Sequence, residues 1–99
     1  MYRGTTPTLT FTLPFETNLI SKCYVSFFQK ERLRVEKELT NCDCVGKTIA
    51  VKLTQSDTLS FVSNAVVKIQ IRALLSDGNA VASKIMEMNV KDVLKDGEI

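Results

Sequence analysis

Apolar and polar residues alternate with period two along most of the chain. The alternation is cleanest between Pro7 and Pro14. There Leu9, Phe11 and Leu13 fall on one side, and Thr8, Thr10 and Thr12 on the other. A first strand over Thr8–Leu13 follows. Proline lacks an N–H donor, so the flanking prolines favour an edge position. A second strand over Ser21–Gln29 sets Cys23, Val25 and Phe27 against Tyr24, Ser26 and Phe28. Two partly apolar faces fit a central strand, or one whose second face is partly covered. A third strand, Leu33–Leu39, places Leu33, Val35 and Leu39 inward. Lys37 falls on the same apolar side, which fits a rim where its long stem reaches back to water.

The fourth strand, Thr48–Leu53, points Ile49, Val51 and Leu53 inward. The fifth, Ala65–Leu74, does the same with Val67, Ile69, Ile71 and Ala73. The sixth, Ala80–Met88, is irregular: Val81 and Ile85 oppose Ala82, Lys84, Met86 and Met88. A β-bulge would reconcile the two halves. Turn chemistry fills the gaps, with "KERL", "TNCDCVGK" and "SDGN" as breakers and Gly46 as a positive-φ residue. Thr54 and Asp57 have capping-box spacing for one helical turn, and Leu59 and Phe61 after it would close an end of the core. Val90–Ile99 reads as a helical turn, a last strand, or a segment ordered by a neighbour. No segment keeps helical periodicity over ten residues. Six to seven short strands in one domain, residues 1–99, define an all-β chain. The architecture expected is an antiparallel β-sandwich, immunoglobulin-like in the broad sense.

Composition narrows the chemistry more than it suggests any. There is no histidine to serve as a general base, and no serine lies in a G-x-S-x-G elbow. Glu36 and Glu38 share a strand face, which is more simply a solvated side than an acid–base pair. The four glycines form no phosphate cradle, and no EF-hand spacing occurs. The expectation is therefore no enzyme, no cofactor and no small-molecule substrate. A net charge of +2, with Lys30, Arg32 and Arg34 interleaved among glutamates, does not favour nucleic acid. No apolar stretch approaches a membrane span, and no signal peptide is read at the start.

The three cysteines, Cys23, Cys42 and Cys44, are an odd number in a pattern unlike a zinc site. They read as thiols in a reducing compartment, with a bridge from Cys23 to Cys42 or Cys44 left open. What remains is contact. Tyr2, Tyr24 and Phe28 are candidate exposed aromatics for a protein partner or a sugar. The threonine face of the first strand, Thr8, Thr10 and Thr12, is a candidate subunit contact. The segments Met1–Thr6 and Lys91–Ile99 are expected to contribute to assembly.

Three blocks carry a resemblance: the opening "RGTTPT", the "LTQSDTLSF" stretch and the closing "LKDGEI". With them the chain resembles, over nearly its whole length, small prophage-encoded proteins of Gram-positive gut bacteria. It is more distantly similar to the N-terminal domain of phage baseplate upper proteins. The resemblance implies a non-enzymatic virion, tail or baseplate component working through self-association or contact with other virion proteins. It implies assembly in the bacterial host cytoplasm, with the virion as a further location. The rival reading is a β-sandwich module that binds a glycan or another host-surface group.

Overall fold

The computed structural model describes all 99 residues. Eight strands form two antiparallel sheets packed face to face. The smaller sheet has the order β1-β5-β4, from β1 (Thr8–Thr12), β4 (Cys42–Val45) and β5 (Thr48–Lys52). The larger sheet contains β2 (Ile20–Gln29), β3 (Arg32–Glu38), β6 (Ala65–Leu75), β7 (Ala80–Ala82) and β8 (Met86–Val90). Its order is β3-β2-β6, with β7 and β8 both pairing the remaining edge of β6. The all-β sandwich expected from the alternation is the architecture found.

The chain changes sheets three times, each time through a short helical turn. A 3₁₀ turn at Thr17–Leu19 leads from β1 to β2, and another at Leu39–Asn41 leads from β3 to β4. Helix α1 (Gln55–Leu59) leads from β5 to β6. Helical turns suit this task because they satisfy their own backbone groups where no ladder is available. α1 starts with the capping box expected. Thr54 Oγ1 accepts from the Asp57 N–H at 3.0 Å, and the Asp57 carboxylate accepts from the Thr54 N–H at 2.8 Å.

The core is made by the alternating residues of both sheets. Val25, Phe27, Ile49, Val51, Leu53 and Val67 are fully buried, with Ile69 and Val90 nearly so. Each such side chain contributes roughly 1.5–3 kcal/mol. Phe61, just past α1, packs its ring 6.2 Å from that of Phe27. It closes the end of the core, as its place in the sequence suggested. Three polar side chains are buried with partners, Thr17 donating to the Gly46 carbonyl at 2.7 Å. Gln29 donates to the Val62 carbonyl at 2.7 Å and accepts the Val62 N–H. Thr58 donates to the Thr5 carbonyl at 2.8 Å.

Two bulges depart from the alternation. Phe27 faces Val35 while Phe28 faces Leu33, so Arg34 is an extra residue in β3. The extra residue reverses the facing of everything before it. Leu33, expected inside, therefore stands beside Phe28 on the outer face and is 47% exposed. The second bulge lies between β7 and β8 at Ser83–Ile85. Here the Ile71 N–H donates to Ser83 Oγ at 3.0 Å, while the Ser83 N–H donates to the Ile71 carbonyl. It turns Met86, Met88 and Val90 inward and leaves Ile85 outside. The bulge expected in Ala80–Met88 is thus present, and it divides that segment into two strands. The "CDCV" stretch, expected as a turn, is strand β4, and only Gly46–Lys47 turn after it. The count is therefore eight strands rather than six or seven.

The segment Met1–Arg3 belongs to the fold rather than to a free arm. The N-terminal ammonium donates to the Asn89 carbonyl, and Tyr2 bridges Lys91 in parallel. The Arg3 guanidinium reaches the carbonyls of Leu59 and Phe61 and the Asp92 carboxylate, at 2.8–3.1 Å. Tyr2, a candidate contact aromatic, has the Lys91 ammonium 5.9 Å from its ring centroid. Deleting Met1–Thr6 would break these bonds, so the expectation that the segment serves assembly while the core stands without it is revised.

Lys37 reaches from the rim of β3 to the Asp57 carboxylate of α1 at 2.7 Å, with both side chains less than a fifth exposed. Burial pushes the Asp57 carboxyl up, but the bonds from Lys37 and Thr54 more than offset it and hold it below its ordinary value of 3.8. A carboxylate lowered in the folded state stabilises the fold above its unfolded value, and that contribution is lost as pH falls through the folded value. Asp57→Ala should cost about 1–2 kcal/mol at neutral pH through the lost cap and ion pair. Urea unfolding at pH 7 and at pH 3 tests this, since the gap between variant and wild type should shrink at the lower pH.

Candidate functional site

The outer face of the larger sheet holds the residues the sequence singled out on the second strand. Tyr24, Ser26 and Phe28 alternate away from the core on β2. The register sets their neighbours. Tyr24 lies between Glu38 of β3 and Arg72 of β6, Ser26 between Glu36 and Gln70, and Phe28 between Leu33 and Lys68. Val66 continues the face along β6, and Ile85 stands over it from the β7–β8 bulge. Together they bound an open groove of about 700 Å³.

The groove is apolar with a charged rim. Phe28 is 40% exposed and Ile85 56%, and Val66 and Leu33 also face solvent. Lys30, Glu31, Glu36, Lys68 and Arg72 stand around them, with both signs of charge. Gln70 is held in place, since its amide donates to the Ser83 carbonyl at 2.9 Å. Such a surface can bury aromatic and aliphatic side chains of a partner at its centre and pair charges at its rim. The adjacent Tyr24 ring, Arg72, Gln70 and Glu36 can also stack on and hydrogen-bond a sugar.

The β2–β3 turn at the groove's rim is strained. Lys30 and Glu31 are its two central residues, with φ of 52° and 64°. A two-residue hairpin loop needs positive φ at both positions, where asparagine and glycine are the usual choices. Neither Lys nor Glu adopts that backbone without cost. Strain kept beside a groove is the kind of feature that functional surfaces retain.

The threonines predicted as a contact are elsewhere. Thr8, Thr10 and Thr12 lie on β1, an outside strand of the smaller sheet, and all three are exposed. The two sets of candidates therefore form two surfaces, not one. Comparison with protein-family models, curated proteins and solved structures finds no match.

The cysteines gather at one end of the sandwich without forming a bond. Cys42 and Cys44 share one face of the edge strand β4, paired with Val51 and Ile49; Cys42 is half-buried and Cys44 exposed, while Cys23 is buried on β2. All three are free thiols, so the bridge left open by the sequence is not made. Burial, and then the neighbouring Cys42 and Cys44, push the Cys23 thiol up to about 11. Burial raises the other two as well, Cys42 with help from Cys44 and Cys44 with help from Asp43. Cys23 is thereby held in the protonated form, which is a poor nucleophile.

The bulge at Arg34 hid Leu33 from the sequence reading, and the bulge at Ser83–Ile85 hid Ile85. Only the parity break in Ala80–Met88 hinted at the second. Replacing Lys30-Glu31 by Asn-Gly should stabilise the chain by about 1 kcal/mol through relief of this backbone. Thermal melting of the double variant measures it, and an unchanged or lower midpoint contradicts the assignment of strain.

Proposed function

We propose that the chain is a non-enzymatic structural component of a phage tail or baseplate. In this reading the outer face of its larger sheet docks on another virion protein. One observation carries it: three exposed apolar side chains, Phe28, Val66 and Ile85, line one groove on a sheet face, with Leu33 paired beside Phe28. Contiguous exposed apolar surface with a polar rim marks an interaction site rather than ordinary surface. The resemblance of the opening, central and closing blocks to prophage proteins supplies the setting. Assembly would take place in the reducing host cytoplasm, which suits three thiols left unpaired.

Glycan binding is the second reading, favoured by Tyr24 set between Glu38 and Arg72 with Gln70 fixed nearby. A sugar would need those polar groups, whereas a protein partner would need Phe28 and Ile85.

Particles induced from a lysogen carrying the gene test both readings. Mass spectrometry should find the wild-type protein in purified particles and should lose most of it from particles of the Phe28→Ser, Ile85→Asp variant. That variant changes only exposed positions and should melt near the wild-type temperature. If the wild type is missing from particles but binds cell-wall polysaccharide, and Tyr24→Ala and Arg72→Ala abolish that binding, the glycan module is the correct reading.

A further inference from the structure

β1 is an outside strand of the smaller sheet, and its hydrogen bonds show which residues face outward. The Leu13 N–H donates to the Lys47 carbonyl at 2.8 Å, and the Leu53 N–H donates to the Pro7 carbonyl at 2.9 Å. Both fit the register that pairs Thr8 with Lys52 and Thr12 with Thr48. In an antiparallel ladder, residues that exchange bonds with the neighbour alternate with residues that turn their N–H and C=O away. Positions 7, 9, 11 and 13 are turned toward β5. Thr8, Thr10 and Thr12 therefore direct three N–H and three C=O groups to the open side.

The usual protections of an edge are missing from this strand. Natural edges carry lysine, an inward charge, a bulge or a proline, and Thr8–Thr12 has none of these. Pro7 sits in the row that faces β5, so it removes no outward donor. Pro14 falls in the outward row and ends it. On the inner face, Leu9 and Phe11 pack against the core yet are only half-buried, because β1 has no further neighbour to cover them.

We propose that β1 pairs antiparallel with β1 of a second copy, about a two-fold axis through Thr10. Thr10 then faces Thr10 of the other copy, and Thr8 faces its Thr12. All six outward groups of each strand are matched, giving six main-chain hydrogen bonds. On the inner face, Leu9 of each copy meets Phe11 of the other, an aliphatic–aromatic pair of the kind that stabilises antiparallel sheets. On the outer face the threonines form an uncharged ladder, so no like charges meet at the axis. The contact is self-complementary, as a two-fold interface must be. It joins the two three-stranded sheets into one of six strands.

Light scattering after size exclusion, over a range of concentrations, should give twice the chain mass of 11.1 kDa. Thr10→Lys puts two ammonium groups on the axis, and Thr10→Pro removes the outward N–H. Both should be monomers, and both should melt within a few degrees of wild type because neither touches the β5 ladder. In a Cys42→Ser, Cys44→Ser background, Thr10→Cys should cross-link to itself on oxidation. Thr8→Cys should cross-link only with Thr12→Cys. The dimer should persist in Phe28→Ser, Ile85→Asp, which separates this contact from the outer-face reading. A wild type that is monomeric throughout overturns the proposal. So does a Thr10→Lys variant that stays dimeric, or a Thr8→Cys chain that cross-links to itself as readily as Thr10→Cys.

Discussion

Phe61 lies against Phe27 with ring centroids 6.2 Å apart, and just beyond it the Val62 backbone is gripped by the Gln29 amide. Both contacts tie the crossover after α1 to the end of β2, whose inner residues Cys23, Val25, Phe27 and Gln29 are all buried. Without them the long β6 would still pair with β2 but would leave that end of the sandwich open. Arg3 reads the same crossover from outside, through the carbonyls of Leu59 and Phe61. One short stretch, Leu59–Val62, thus joins the two sheets and the N-terminal segment. A buried glutamine is tolerable here because both ends of its amide are satisfied.

Much of this was legible in the sequence, and the reason differs by element. β1, β5 and β6 showed strict alternation because one face of each is buried and the other is wet. The α1 cap was legible because Thr54 and Asp57 carry a local signal that needs no tertiary context. The bulges were the weak point. One inserted residue changes the facing of every neighbour, and neither Arg34 nor Ser83 has a distinctive side chain to announce it. β4 was hidden because Asp43 and Gly46 look like breakers, although the strand is merely short and at an edge. Gln29 and Arg3 were illegible for a plainer reason. Their partners are backbone groups 33 and 56–58 residues away, and a backbone group has no sequence signature.

The two candidate surfaces differ in the kind of recognition they can support. The outer face of the larger sheet offers side chains of mixed character, so its partner is chosen by shape and apolar contact. The β1 edge offers main-chain groups, which any strand can match. Its selectivity must come from where the prolines stop the ladder and from what Leu9 and Phe11 meet. The sequence flagged members of both surfaces, Tyr24 and Phe28 on one and the three threonines on the other, without showing that they lie in separate sheets. Under the two proposals, that separation would let one protein be joined to a copy of itself and to something else at once.

The three sheet changes also set the pace at which this chain can reach its structure. The β2–β3, β4–β5 and β6–β7 pairs are hairpins and close short loops. The pairings that unite them, β1 with β5 and β2 with β6, span 36 and 40 residues at their nearest paired positions, Thr12 with Thr48 and Phe28 with Lys68. Loop closure of that length must be met before the two sheets can reward it. Folding dominated by such distant pairings belongs to the millisecond-to-second class rather than the microsecond one. Until the distant pairing forms, β1 has neither β5 nor a charge of its own to keep other strands from its ladder.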